Sequence, residues 1–490
     1  MSRRRHWRNA SAIFLFCAAT AIAAPAQTYT DLFNFDGSDG SGPFYMSLVQ
    51  GTDGNLYGTT AYGSGGNGNV FKMTPAGVLT SLFGFDEFDG DPYTGLVLGT
   101  DTSLYGTTAE GGGTGAPGTV FKADPGFGPA TLYAFCSQFG CSDGEWPYAP
   151  LFLAADGNFY GTTYYGGSQS VDNCWNGRVQ GCGTVFRITL EGRLTTLYRF
   201  CKKPNCADGS YPTGGLVEDT HGSFYGTTNG NFYAPGKGGA TIFKITSAGK
   251  FTTLYTFCSQ SNCSDGNYPY PGLIGAADGN FYGTTAYGGT NCPSLGGCGT
   301  VFRITPAGEL RTIHSFDGID GSRPYAGLIQ ATDGDLYGTT ANSGSSQCVG
   351  CGTVFRITPD GALTTLHTFD GTDGYLAYGG LFQSTDGKFY GTTYAGGTYG
   401  YGNVYSLDMG LGPFVTFVQA AGKVGQTGGI LGQGFTGTTN VSLNGISASF
   451  TVVSDTFIRA TVPLGATTGY VTVTTPSGTL TSNVPFHVIR

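Results

Sequence analysis

The tetrapeptide Tyr-Gly-Thr-Thr occurs seven times in this 490-residue chain, beginning at Tyr57, Tyr105, Tyr160, Tyr225, Tyr282, Tyr337 and Tyr390. Successive copies lie 48 to 65 residues apart. A motif at such a period marks one supersecondary unit per copy, and each unit buries its apolar face only by stacking on its neighbours. Around the fifth copy the parts are legible. Residues 272–275 form a first short strand, A, and Asp278-Gly279-Asn280 a turn. The motif strand, B, covers 281–285, and after a variable loop strand C covers 299–305 (GTVFRIT). A Pro-Ala-Gly turn leads into strand D, 309–316. Asp-Gly between short strands is a hairpin signal, because both residues tolerate positive φ. Four strands per unit, seven units and no helical periodicity predict an all-β, seven-bladed β-propeller. A β-helix, the competing arrangement, wants shorter repeats.

Strand D supplies a further expectation. It follows strand C in repeats one to six, near 78–85, 130–135, 194–200, 251–257, 310–316 and 363–369, but not in repeat seven. A strand of the same type, 29–35, precedes repeat one. It should become the outermost strand of the seventh blade and close the ring, leaving fewer exposed sheet edges to template aggregation.

Arg3, Arg4, Arg5 and Arg8, the apolar stretch 10–24 and Ala24-Pro25-Ala26 read as an export signal over residues 1–26. Fifteen apolar residues are short for a bilayer span. Without those four arginines, 19 basic residues face 32 acidic ones, for a charge of −13. That excludes nucleic acid and anionic membrane surfaces as natural partners. The location expected is secreted, periplasmic or cell-surface. Apart from Cys17, the cysteines fall into neighbouring pairs. These are Cys136 with Cys141, Cys174 with Cys182, Cys201 with Cys206, Cys258 with Cys263, Cys292 with Cys298 and Cys348 with Cys351. In an exported chain this pattern reads as six local disulfides. Zinc competes, since Cys348-x-x-Cys351 has ligand spacing, but a tetrahedral site would require two pairs to meet.

From about residue 413 the repeat stops and Val/Thr alternation takes over. Short strands of this kind fit an immunoglobulin-like sandwich. The turns Gly422-Lys423-Val424-Gly425 and Gly432-Gln433-Gly434-Phe435 make 413–490 resemble the IPT/TIG domain, which implies a spacer or interaction module. Residues 27–412, through DGNFYGTT-x-x-GG (156–167, 278–289) and GTVFRIT (183–189, 299–305, 352–358), resemble the choice-of-anchor tandem-repeat family, the GloVer repeat. That resemblance implies an exported bacterial protein and brings no settled activity.

In a four-stranded meander, B–C loops and D–A connections share one end of the sheet. Here they are long, variable and carry all six cysteine pairs, whereas the A–B and C–D turns are short and uniform. Rigid, varied loops on a regular scaffold are where binding concentrates. Trp146, Trp175, Phe232 and Tyr233 are the candidate ligand-binding residues, since aromatic rings stack on sugar faces. The recurring Pro-Tyr pairs (92/93, 147/148, 269/270, 324/325) read instead as plugs between blades.

Paired aspartates in the D–A connections, among them Asp317 with Asp320 and Asp370 with Asp373, read as Asx-turn caps; a calcium site would want six to eight oxygens. Strand C carries Lys72, Lys122, Arg187, Lys244, Arg303 and Arg356, expected to pair with acids or reach solvent. The Thr-Thr of strand B reads as packing, and His221 as a replacement for the turn aspartate of repeat four. No serine–histidine–carboxylate system or carboxylate pair is recognisable. The expectation is a monomeric, non-catalytic binding or adhesion protein without cofactor or metal, taking a glycan or protein partner. An enzyme acting on extracellular carbohydrate from the same face and a structural surface component are the alternatives.

Overall fold

The computed structural model describes residues 27–489 except 64–66, 87–89, 113–116, 125–127, 168–173, 175–180, 231–238, 293–295 and 343–349. The export signal expected over 1–26 lies outside the described residues. Up to Asp408 the chain forms seven four-stranded antiparallel sheets among the described residues. In the fifth repeat strands A to D are Leu273–Gly275, Phe281–Thr285, Thr300–Ile304 and Leu310–Ser315, paired in sequence order. Helical structure among the described residues is confined to 3₁₀ turns, such as Pro204–Cys206, and no helix there could cross a membrane. The fold is all-β and β-propeller-like.

The motif is intelligible residue by residue. Its tyrosine is buried in every repeat and donates its hydroxyl to the aspartate of the preceding A–B turn. Tyr57 reaches Asp53, Tyr105 Asp101, Tyr160 Asp156 and Tyr282 Asp278, each at 2.9 Å. Tyr225 reaches Asp219 at 3.0 Å, Tyr337 Asp333 at 2.8 Å and Tyr390 Asp386 at 2.9 Å. Asp219, not His221, therefore fills the turn role in repeat four; its turn is two residues longer, and His221 only donates its backbone N–H to that carboxylate. The glycine is required because the aromatic ring of strand C lies on it. A Cβ at Gly161 would fall 2.5 Å from Phe186, and one at Gly283 2.6 Å from Phe302.

The two threonines do more than pack. In four repeats the first donates to the connection leading into the next repeat, as in Thr59 to Thr94 O (3.0 Å), Thr107 to Ala149 O (3.3 Å) and Thr339 to Ala377 O (3.2 Å), whereas Thr162, Thr227 and Thr392 have no hydroxyl partner among the described residues. The second meets a strand C hydroxyl, as in Thr163 with Thr184 (2.9 Å) and Thr285 with Thr300 (2.8 Å). Buried hydroxyls need partners, and these partners join strands and repeats. Three of the six strand C bases pair with acids: Lys122 with Asp101 (2.8 Å), Lys244 with Asp219 (3.3 Å) and Arg356 with Asp335.

The N-terminal strand Thr28–Asn34 pairs antiparallel with Asn403–Asp408 as the outer strand of the seventh sheet, as the missing strand D required. At the inner edge, strand A side chains clasp the neighbouring sheet. Gln383 accepts from Thr332 N, Gln330 from Ala277 N and Glu218 from Ala155 N. Gln50 does the same to Thr385 N (3.1 Å) and donates to its hydroxyl (3.0 Å), joining the first sheet to the seventh.

Beyond residue 413 two further four-stranded sheets and a short parallel pair enclose a core of Val415, Phe435, Val441, Ile458, Val473 and Phe486. This C-terminal unit sits on the A–B turns. Thr456 donates to Thr52 O (2.7 Å), Gln419 to Ala154 O (2.7 Å) and Gln433 to Thr385 Oγ1 (2.9 Å), contacting repeats one, three and seven. Leu431 and Phe457 share one packed cluster with Tyr57, Leu98 and Leu104.

Candidate functional site

The C-terminal unit meets the A–B turns of repeats one, three and seven, and the opposite face carries the D–A connections and B–C loops. Five D–A connections are each organised by one aspartate held by strand D. Asp208 accepts from Tyr198 (2.6 Å) and from the backbone N–H of Lys202 (2.9 Å) and Lys203 (3.1 Å). Asp143 and Asp265 make the same contacts with Tyr133 and Tyr255. In later repeats histidine replaces the tyrosine: His314 meets Asp320 and His367 meets Asp373, both at 2.7 Å. These carboxylates cap their own loops, as the Asx reading expected.

Disulfides close three of the D–A connections, Cys136 to Cys141, Cys201 to Cys206 and Cys258 to Cys263. Two more close B–C loops, Cys174 to Cys182 and Cys292 to Cys298. The three D–A bridges share one geometry. Cys141, Cys206 and Cys263 each end a single 3₁₀ turn, and both cysteines of every bridge have left-handed φ. The environments differ: Cys141 and Cys206 are buried, whereas Cys263 is partly exposed. These cysteines therefore brace loops and leave no thiol free to act on a ligand. Cys351 is also disulfide-bonded; Cys348 lies outside the described residues. Cross-links across short loops restrict the freedom of segments that would otherwise move.

The residue preceding the recurring proline adopts left-handed φ at Trp146, Tyr211, Tyr268 and Arg323. Hydrogen bonds on both sides hold it there. Trp146 N–H donates to Pro117 O (2.8 Å), and Trp146 O accepts from Tyr164 N (2.9 Å). The turn that follows sends the next tyrosine inward, and the rings converge. Tyr270 and Tyr325 lie 5.6 Å apart between centroids, as do Tyr325 and Tyr378. Tyr93, Tyr148, Tyr164 and Tyr211 continue the series at 6.2, 5.5 and 4.9 Å. Repeat one contributes an extra ring. Its Phe44-Tyr45 replaces the single tyrosine, and Tyr45 reaches repeats five, six and seven through Tyr270 (4.8 Å), Tyr325 (6.3 Å) and Tyr378 (5.4 Å). Burial pushes the Tyr45 phenol far up, with Tyr270 adding to it. Most of these rings are only part-buried, so they form a floor with accessible edges.

Of the four aromatic candidates, Trp146 belongs to this face. It is half-buried, edge-on to Tyr148 (5.9 Å) and Tyr165 (5.3 Å), and its indole N–H is buried without a partner among the described residues. It occupies the same pre-proline position as Tyr211 and Tyr268, so it is a variant of the repeat and not an interruption of it. Trp175, Phe232 and Tyr233 lie outside the described residues. Sequence reasoning missed Phe44 and Tyr45, although the second aromatic after Pro43 was a visible signal. Beside the floor, burial and then the charge of Glu110 raise the Asp91 carboxyl above the usual range. Its Oδ1 is buried without a partner among the described residues, and its Oδ2 accepts from Tyr93 at 3.5 Å.

Among solved structures the chain is similar to a candidate gluconolactonase (12% identity, TM-score 0.40, 79% of this chain and 94% of that one). A Bacteroides thetaiotaomicron protein of unknown function gives 13% identity and TM-score 0.40 over 78% and 76%. A luciferin-regenerating enzyme gives 9% and 0.39 over 79% and 98%. No curated protein matches. The family described as the Gloeobacter/Verrucomicrobia repeat matches in tandem at residues 18–175, 131–292 and 259–452, and the chain belongs to that family.

Proposed function

We propose that this Gloeobacter/Verrucomicrobia repeat protein is an exported, non-catalytic binding protein that engages a neutral glycan through its disulfide-braced loop face. In this reading residues 27–412 are a seven-bladed propeller closed by the N-terminal strand, and 413–490 are an IPT/TIG-type immunoglobulin-like unit. The observation that carries the reading is the aromatic floor of Tyr45, Tyr270, Tyr325 and Tyr378, part-buried where rings from repeats one, five, six and seven meet on the loop face. Ring faces and edges offer apolar area with hydroxyl tips, a surface suited to pyranose rings, and the acidic chain repels polyanions. Trp146 stands beside that floor, edge-on to Tyr148, and Trp175, Phe232 and Tyr233 stay candidates on the sequence alone.

The test is binding of the chain from residue 27 to a broad panel of polysaccharides, beside Trp146→Ala and Tyr270→Ala variants with retained thermal unfolding. A hit weakened at least tenfold by either change supports the glycan site. No hit from a folded, oxidised chain overturns it and leaves a protein partner or a structural role. The juxtaposition of Asp91 and Glu110 favours a second reading, a carbohydrate-active enzyme on the same face. Release of reducing ends that is lost in Asp91→Asn would establish that reading.

A further inference from the structure

We infer that Cys174, Cys182, Cys201 and Cys206 form a redox-gated site for one thiophilic divalent cation of the zinc class. The four sulfurs all lie within 4.8 Å of one another, and all four residues are buried. Zinc–thiolate bonds of about 2.3 Å place the sulfurs of a tetrahedral site about 3.8 Å apart. The cluster therefore needs only small side-chain movements to accept an ion. In the oxidised chain the same sulfurs form the Cys174–Cys182 and Cys201–Cys206 disulfides.

The arrangement follows from the repeat. A B–C loop lies against the D–A connection of its own repeat. In the fifth repeat a Cβ at Gly318 would sit 3.7 Å from the sulfurs of Cys292 and Cys298, and in the sixth one at Gly371 would sit 3.9 Å from Cys351. Those repeats have no cysteine in the D–A connection. The second and fourth, with Cys136 and Cys141 or Cys258 and Cys263 in that connection, have none in the B–C loop. In repeat three alone, both elements carry a pair. Two separated pairs of neighbouring cysteines brought together by the fold is the ligand pattern of structural zinc sites. Lys202 and Lys203 directly follow Cys201 and supply positive charge beside a dianionic tetrathiolate.

The chemistry balances with a dithiol reductant. Each disulfide takes two electrons and two protons from one dithiol, which leaves as its cyclic disulfide. Binding one divalent ion then releases the four thiol protons. The site is closed to metal when oxidised, because a disulfide sulfur is a poor ligand, and open when reduced.

The test uses the whole chain from residue 27, reduced with a dithiol, desalted under nitrogen and titrated with Co²⁺ and Zn²⁺. One equivalent per chain is expected, with the thiolate charge-transfer and d–d absorption of tetrahedral cobalt. Unreduced chain should bind none. Uptake should be lost when Cys174→Ser and Cys182→Ser are combined, and likewise for Cys201→Ser with Cys206→Ser. It should be kept in Cys292→Ser with Cys298→Ser, with far-ultraviolet circular dichroism checking the fold throughout. The inference is overturned if the reduced, folded chain takes up no metal, if uptake survives removal of either pair, or if reduction unfolds the protein.

Discussion

At the residue scale, the motif combines a turn device with a packing device. The turn aspartate serves both. At Asp278, burial works to raise the carboxyl, but the side chain and backbone of Asn280, the Tyr282 hydroxyl and Arg303 outweigh it and hold the group below its usual range. Asp101 and Asp219 are lowered by the same kind of partners against the same burial. The folded chain therefore binds these protons less readily than the unfolded one, whose aspartates titrate near about 3.9. Their contribution to stability is complete above about pH 4 and is lost as pH falls through the folded value. Asp278→Asn should lower the urea midpoint at neutral pH, and the gap to the parent should close on acidification to roughly pH 2. A gap of constant size would remove the carboxylate from the argument. Gly283→Ala places a methyl against Phe302, so we expect a loss of about 1–3 kcal/mol in chemical denaturation, as for other overpacked cores.

At the element scale, the N-terminal strand ties the start of the repeats to the last of them. It covers Asn403–Asp408, the last strand of the seventh sheet, and Tyr29 stacks on His367 of the sixth repeat (3.9 Å between centroids). Removing 27–35 would bare that strand's backbone edge, which invites pairing with other chains. The expected result is elution at a higher mass than the parent in size-exclusion chromatography and a lowered, broadened thermal transition. A truncated chain that elutes like the parent and melts at the parent temperature would show that the strand is dispensable.

At the scale of the whole molecule, the C-terminal unit lies against the A–B turns of repeats one, three and seven. Phe457 and Leu431 share a packed cluster with Tyr57 and Leu98, so the unit and the repeats unfold together if that packing couples them. Phe457→Ala, at about 3–5 kcal/mol for a buried phenylalanine, should split a single calorimetric transition in two or lower it by several degrees. An unchanged thermogram would make the contact incidental.

How much of this was legible in advance depends on the distance over which each interaction acts. The period of Tyr-Gly-Thr-Thr, the Asp-Gly turns and the unpaired strand D are local patterns, and local patterns dictate strand order because side chains alternate and turns accept few residues. The sequence alone therefore determined the four-stranded repeats, the pairing of Thr28–Asn34 and local disulfides such as Cys136 to Cys141 and Cys258 to Cys263. It could not place Tyr45 beside Tyr270 and Tyr325, seat Thr456 on Thr52, or bring the sulfurs of two cysteine pairs together. Tyr45 meets Tyr270 through stacking of the sheets and Thr456 meets Thr52 through docking of the C-terminal unit, while the cysteine pairs meet only because one loop of repeat three folds onto another.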